Sequence, residues 1–168
     1  MTVASPDLDI RTLIEEIIPF NKLLGVRLTK ADVAAGTVTL RMPLRGELIG
    51  NVMRSMAHGG AVSALIDAAA GAAAALSLPD LRAAPSVATI DMRVDYLAPG
   101  RGEWLEATAT VMRSGRRVIV VRVDVSDAQG DLVALGTAAF SVAVAAAAAP
   151  GQAAASGAAG SGPEEDGE

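Results

Sequence analysis

The sequence contains no cysteine, a single histidine, and only one tryptophan, one tyrosine and two phenylalanines among its 168 residues. Without cysteine the chain has no disulfides, no thiolate nucleophile and no thiolate-bound zinc. The lone His58 offers too few nitrogen ligands for a convincing metal site. We therefore expect neither a metal nor a cofactor.

Charge is also scarce outside the C-terminal end. The formal net charge is -5, but Glu164, Glu165, Asp166 and Glu168 supply four of these charges, so the rest of the chain is nearly neutral. No basic stretch indicates nucleic-acid binding. The first residues show no basic region followed by an apolar run, so we expect no secretory signal and predict a cytoplasmic protein.

One apolar segment, residues 61–78, resembles a membrane span in composition. Asp67 interrupts it, and its longest run without a polar residue, 68–76, is far shorter than the roughly 20 residues that a span needs. The segment therefore predicts a buried helix, and no membrane partner is expected.

Length and composition indicate one domain, because 168 residues, 51% of them hydrophobic, can form a single aliphatic core. Residues 1–20 are predicted to be an N-terminal extension with a short amphipathic helix that stops at Pro19. Residues 21–145 are predicted to form the domain, and residues 146–168 a disordered tail rich in Ala and Gly with an acidic end.

Alternating polarity and short turns predict six strands, and a long helix is predicted over residues 59–77. The strands are expected at 24–30, 36–43, 86–97, 103–113, 116–126 and 131–144. This order predicts an α+β fold in which an antiparallel sheet wraps around a long central helix. Strict alternation in the third strand predicts that Thr89 faces away from a shared face made of Ala88, Ile90, Met92, Val94 and Tyr96.

Asp67 is the only charged residue of the predicted helix. Very small residues surround it on one helix face, and burying a carboxylate there carries a desolvation cost that packing alone does not explain. Asp67 is therefore a candidate functional group. The structural alternative is an Asp67 that is satisfied by Ser63, four residues earlier, or by a backbone group.

The helix is expected to begin at Gly59 and Gly60, directly after His58. A helix N-terminus presents unpaired N–H groups with partial positive charge, and glycine lets a carbonyl oxygen approach them. Together with a carboxylate nine residues after the histidine, this arrangement can serve acyl chemistry. Glycine pairs also occur where a loop merely packs tightly against a helix start. A Ser-His-Asp triad is rejected, because the sequence has no Gly-x-Ser-x-Gly elbow.

Several short segments, in this order and spacing, carry a family resemblance. They are residues 18–25 (IPFNKLLG), His58-Gly59-Gly60 with Asp67, residues 89–92 (TIDM) and 96–99 (YLAP), residues 113–117 (RSGRR), and residues 127–130 (DAQG). From residue 18 to residue 142 the sequence resembles the phenylacetic-acid-degradation type (PaaI-like) acyl-CoA thioesterases of the hot-dog superfamily. The resemblance implies a hot-dog fold and hydrolysis of an acyl-CoA to a free acid and coenzyme A.

The resemblance also implies catalytic roles. Asp67 is expected to act as nucleophile or as general base on water, and Gly59 to supply the oxyanion N–H. His58 is expected to fix the loop by hydrogen bonding, and direct proton transfer is its alternative role. Asn51 is expected to hold the catalytic water or the thioester, and Thr89 to position water. Asn51 as a simple turn residue and Thr89 as an ordinary strand residue remain open alternatives.

Substrate binding is expected at Gly60 and at four arginines, whose guanidinium groups match the phosphates of coenzyme A. The arginines are Arg54, Arg113, Arg116 and Arg117, and for each of them a solvated turn is the alternative. The resemblance further implies a homodimer or homotetramer, with Gly59 of one chain working with Asp67 of its partner.

Two other functions remain open at this point. A hot-dog enoyl-CoA hydratase or dehydratase would need His58 and Asp67 to converge on an enoyl thioester. A non-catalytic acyl-CoA binding module would keep Gly59 and the arginines but would tolerate loss of Asp67.

Overall fold

The computed structural model describes residues 9–143, so the predicted tail at 146–168 and residues 1–8 lie outside the described part. The helices are α1 (Ile10–Thr12), which continues into a π-helical turn at Leu13–Ile17, α2 (Pro19–Leu24) and the long α3 (Gly59–Leu76). The strands are β1 (Arg27–Asp32), β2 (Thr37–Pro43), β3 (Ile49–Asn51), β4 (Met56–Ala57), β5 (Val87–Tyr96), β6 (Trp104–Ser114), β7 (Val118–Asp127) and β8 (Leu132–Val142).

Six strands form one antiparallel sheet in the order β1-β2-β6-β7-β8-β5. One face of this sheet packs on α3, and along β7 every second residue is buried there: Ile119, Val121, Val123 and Val125. The short strands β3 and β4 form a separate ribbon just before α3. The predicted antiparallel sheet around a long central helix is confirmed.

The prediction of a strand at 24–30 is wrong at its start. Pro19 does not end the helical region but begins α2, because proline suits the first position of a helix. The helix runs to Leu24 and closes at Gly25, whose φ of 73° is left-handed. As a result, β1 begins only at Arg27, and α2 crosses the predicted domain boundary at residue 20.

Glu15 ties the N-terminal turns to β1. Its carboxylate accepts hydrogen bonds from the backbone N–H of Leu28 at 2.9 Å and from the guanidinium groups of Arg27 at 3.0 Å and Arg11 at 2.8 Å. Partial burial raises the pKa of Glu15, but these hydrogen bonds and charges outweigh burial and hold the pKa below its usual value. Ile14, next to it, is only 1% exposed and joins the main core.

The core lies between α3 and the sheet, where Leu65, Ile66 and Ala69 are completely buried. By length and composition alone α3 could cross a membrane, but 56% of it is buried inside the protein. The apolar residues of α3 therefore form part of the core of the domain.

β5 departs from strict alternation at a β-bulge. Thr89 pairs with Phe140 of β8 and the next paired residue is Asp91, which leaves Ile90 as an extra residue. Ile90 is 58% exposed, whereas Thr89 turns toward α3 and shares the inner face with Met92. The prediction that Ile90 shares a face with Met92 while Thr89 faces away is therefore wrong, because the bulge changes the phase of the alternation.

α3 and the sheet approach each other closely at Gly136 of β8. A Cβ at this position would lie 2.4 Å from Cγ2 of Ile66 and 3.5 Å from Cβ of Val123. Both neighbours are β-branched and completely buried, so neither can move aside easily.

Gly136→Ala is expected to lower the free energy of unfolding by about 1–3 kcal/mol, because the added methyl group overpacks a closed core. Thermal or denaturant unfolding measures the change. Gly46→Ala is the control, since a Cβ at Gly46 would meet nothing within 4 Å. In an Ile66→Ala background, which lacks Cγ2, the Gly136 substitution should cost less. Equal costs in both backgrounds would contradict the proposed clash.

Candidate active site

His58 caps the N-terminus of α3. Its Nδ1 accepts a hydrogen bond from the backbone N–H of Gly60 at 2.9 Å. His58 therefore satisfies one of the N–H groups that a helix N-terminus leaves without an intrahelical acceptor. The Gly60 N–H, which the sequence predicted as a substrate contact, is therefore already used inside the protein.

Gly59 keeps a free donor at the same helix start. As the first helical residue it has no intrahelical acceptor for its N–H, and no other hydrogen bond uses this group within residues 9–143. The helix dipole gives this N–H a partial positive charge. Of the two glycines, Gly59 is thus the one that can donate to an oxyanion.

Tyr96, at the end of β5, fixes the backbone of Gly59. Its hydroxyl donates to the Gly59 carbonyl at 3.0 Å and lies 2.6 Å from the Ser63 hydroxyl, which donates in turn. A Cβ on Gly59 would lie 3.4 Å from the Tyr96 hydroxyl, an ordinary van der Waals contact, so this approach does not itself require glycine. Tyr96 was recognised only as part of a family segment, since a single tyrosine in a strand gives no local sign of a contact with a helix start.

Gly50 is a second residue that the sequence analysis missed. The β3–β4 ribbon lies directly on His58, whose N–H donates to the Leu48 carbonyl at 2.8 Å. A Cβ on Gly50 would lie 2.8 Å from Cα of His58, so only glycine fits at this point. The one available signal was its position directly before Asn51.

Asp67 lies on α3 opposite the bulge of β5. Its Oδ1 accepts a hydrogen bond from Oγ1 of Thr89 at 2.9 Å. Ser63, the alternative partner, bonds to Tyr96 instead. Asp67 is half-buried in the single chain, not fully buried as expected, because an open cavity lies beside it. Its second oxygen, Oδ2, makes no hydrogen bond to any side chain or backbone group of residues 9–143.

A cavity of about 330 Å³ extends beside Asp67 and Thr89. Small residues of α3 form one wall, and apolar side chains of the N-terminal turns form the opposite wall. The small face around Asp67 therefore leaves space for a ligand. The residues of the two walls include Ala64, Ala68, Gly71 and Ala75 on α3, and Leu13, Ile18 and Phe20 on the N-terminal side.

Helix geometry separates the two candidate catalytic groups of one chain. Gly59 and Asp67 are eight residues apart, which corresponds to about 12 Å along the helix axis. A carbonyl oxygen bonded to the Gly59 N–H, at about 3 Å, is out of reach of Asp67 in the same chain. His58 is one residue farther away, so within one chain His58 and Asp67 do not converge as a hydratase would require.

Asn51 and Arg54 lie on the loop between β3 and β4. The Asn51 Oδ1 accepts a hydrogen bond from the Arg54 N–H at 3.1 Å and caps the helical turn Val52–Arg54. Both residues are exposed, and no hydrogen bond within the described part of the chain joins Asn51 to Asp67. Asn51 therefore acts as a turn residue, the alternative that the sequence left open. Its side-chain NH2 group donates no hydrogen bond within residues 9–143.

Arg113, Arg116 and Arg117 cluster at the β6–β7 turn and are exposed. None of them takes part in the salt bridges of residues 9–143. This turn lies near the C-terminal end of α3, where the hydroxyls of Ser77 and Ser114 are 3.5 Å apart. Because α3 has 18 residues and is therefore about 27 Å long, one chain does not bring these arginines to its own Gly59.

Comparisons with known proteins point to one family. Residues 55–134 match the family described as "Thioesterase superfamily". The chain is 34% identical over 136 residues to the medium/long-chain acyl-CoA thioesterase YigI of Escherichia coli, with 74% of this chain and 86% of that protein covered.

Solved structures give the same result. A Shewanella oneidensis protein related to the thioesterase superfamily superposes with a TM-score of 0.70 at 33% identity, over 80% of this chain and 93% of that chain. A mutant of the phenylacetic acid degradation protein PaaI from Thermus thermophilus superposes with a TM-score of 0.63 at 27% identity, over 75% of this chain and all of that chain (100%). The predicted hot-dog fold and the predicted thioester hydrolase are confirmed. The chain belongs to the thioesterase superfamily.

Proposed function

We propose that this chain hydrolyses acyl-CoA thioesters to a free acid and coenzyme A. The position of Asp67 carries the proposal, because Thr89 holds its carboxylate beside an apolar cavity. The same helix presents the Gly59 N–H at its N-terminus. An apolar pocket for the acyl group, a carboxylate and an oxyanion donor are the parts that thioester hydrolysis needs. The acyl-CoA named as substrate of the Escherichia coli relative has the chemistry that these parts fit.

Asp67 is the group that acts on the thioester carbon, directly or through water. As a general base, its Oδ2 takes a proton from water while the water oxygen attacks that carbon; the C–S bond then breaks and the sulfur takes up the proton. As a nucleophile, its carboxylate forms an anhydride with the acyl group as the C–S bond breaks and the thiolate leaves; water then hydrolyses the anhydride, which releases the acid and restores the Asp67 carboxylate, and the proton lost in this step is taken up by the thiolate. Both routes place negative charge on the carbonyl oxygen, which the Gly59 N–H stabilises. Thr89 orients the carboxylate in either route.

Each site combines two subunits in this proposal, since Gly59 and Asp67 of one chain are too far apart. β5 is an edge strand of the sheet and is available for pairing with a second copy. Tyr96 at one end of β5 contacts Gly59, and Thr89 near the other end contacts Asp67. Antiparallel pairing of two β5 strands about a twofold axis would bring Gly59 of one subunit toward Asp67 of the partner subunit. A homodimer, or a tetramer built from such dimers, follows.

In the same pairing of two β5 strands, the arginine cluster (Arg113, Arg116 and Arg117) would lie near the site of the partner subunit. The Arg117 carbonyl accepts from the N–H of Val142, which pairs with Val87 at the start of β5. The cluster therefore lies at the end of β5 that would approach the Gly59 end of the partner subunit. In this arrangement Arg113, Arg116 and Arg117 bind phosphates of a coenzyme A whose thioester lies at the partner's helix start. Arg54, on the loop before that helix, would add a further cation.

Asp67→Asn is expected to leave the fold and the oligomer intact and to reduce kcat for acyl-CoA hydrolysis at least about a hundredfold, the scale of a positioned base. Free-thiol release with a panel of acyl-CoAs measures it. Asp131→Asn, at an exposed turn, is the matched control and should be fully active. Turnover near the wild-type rate in Asp67→Asn would contradict the catalytic role of Asp67. If the wild-type protein binds acyl-CoA without cleaving it, the alternative of a non-catalytic acyl-CoA binding module is favoured.

Gly59→Pro is expected to abolish turnover, because proline removes the proposed oxyanion donor. The helix tolerates this change: proline suits the first helical position, and His58 has φ -66° and ψ 133°, which a residue before proline can adopt. Gly59→Ala, which retains the N–H, is the matched control and should stay active. A Cβ there meets nothing closer than 3.4 Å.

Mixing the Gly59→Pro variant protein with the Asp67→Asn variant protein tests whether each active site is built from two subunits. If each site uses Gly59 of one chain and Asp67 of the other, every mixed dimer contains one intact site and one doubly altered site. Refolding an equal mixture should then restore about a quarter of the wild-type activity. No recovery in a mixture that does form mixed dimers would show that both groups act within one chain.

Arg116→Ala combined with Arg117→Ala is expected to raise KM for acyl-CoA by roughly tenfold or more, because charge-assisted hydrogen bonds to phosphate are lost. KM for the matching acyl-pantetheine thioester, which lacks the nucleotide phosphates, should not change. Arg122→Ala, which removes an exposed arginine paired with Asp124, is the control. An equal rise in KM for both thioesters would contradict phosphate binding by these arginines.

A further inference from the structure

Asn21 of α2 is a buried polar side chain in the wall of the cavity. It is 4% exposed and lines the same cavity as Asp67. Its backbone carbonyl accepts from the Val26 N–H at 3.0 Å, but its side-chain amide makes no hydrogen bond within residues 9–143. No completely sealed side-chain nitrogen or oxygen in this part of the chain lacks a partner, so the unpaired amide atoms of Asn21 keep some accessible surface, and the cavity is the pocket that Asn21 lines.

The fold gives no reason for an amide at this position. A buried amide without a partner disfavours folding relative to an apolar side chain of similar size. The nearby wall residues Ile18 and Phe20 are apolar, and the polar wall residues Asp67 and Thr89 bond to each other. The donors and the acceptor of the Asn21 amide are therefore left for a ligand in the cavity.

We propose that Asn21 selects acyl groups in which an aliphatic chain carries a hydroxyl or oxo group; this inference rests on the proposed function. The cavity follows α3 from Ala64 to Ala75, about 16 Å along the helix axis, a length that suits an extended chain. The amide can donate to either oxygen and can also accept from a hydroxyl. A saturated chain in the same place leaves the amide unpaired and is therefore disfavoured.

Hydrolysis of octanoyl-CoA, compared with octanoyl-CoAs hydroxylated at successive carbons, tests this selection in the full-length protein. The wild type should prefer at least one hydroxylated position by about tenfold in kcat/KM, the effect of one hydrogen bond. Asn21→Leu should lose this preference, with a higher rate on octanoyl-CoA and a lower rate on the hydroxylated substrate. Lys22→Leu, which places leucine on the exposed side of α2, is the matched control and should keep the preference.

Thermal unfolding of the same variants separates substrate selection from a structural role. Because the amide has no internal partner, Asn21→Leu should unfold at the wild-type temperature or above it. Equal wild-type rates on all octanoyl-CoAs, or a preference that survives in Asn21→Leu, would overturn the inference while leaving the proposed function intact. If the wild type hydrolyses no acyl-CoA at all, the proposed function fails and the inference fails with it.

Discussion

The fixed rise of α3 is the constraint on which the rest of the site depends. Gly59 offers its N–H at the first residue of the helix, and Asp67 follows about 12 Å along the axis. An aspartate side chain is too short to close that gap in any rotamer. A hydrolase that uses both groups on one thioester therefore needs two copies of the helix, and the sheet leaves β5 at its edge for such pairing.

Small residues have a different effect on each side of α3: on one side they allow close packing against the sheet, and on the other they line a cavity. On the sheet side, Gly136 lets Ile66 approach so closely that a single added methyl group would clash. On the other side, Gly71 and the alanines at 64, 68, 72 and 75 line a cavity beside Asp67. The bulge at Ile90 turns Thr89 toward Asp67, while the rest of β5 keeps its pairing with β8.

Features encoded by local patterns were predictable from the sequence. Strands β5 to β8 follow from alternation and glycine turns, and α3 follows from a long alanine-rich run. The bulge at Ile90 was not predictable, because an inserted residue in a strand shows only in the pairing with its neighbour. The unpaired amide of Asn21 was hidden for the same reason, since it depends on how separate segments meet. The use of the Gly60 N–H by His58 is a local contact, but histidine is not among the residues that usually cap a helix N-terminus.

The N-terminal turns pack against the main core and form part of the wall of the cavity beside Asp67. Ile14 is 1% exposed and contributes both to the main core and to the cavity wall. Swinging this segment away would expose that side chain, at a cost of about 1.5–3 kcal/mol, and would break the hydrogen bonds of Glu15 to β1. The wall that carries Asn21 is therefore held against the domain by the burial of Ile14 and by the hydrogen bonds of Glu15, so opening the cavity on this side costs part of the folding free energy.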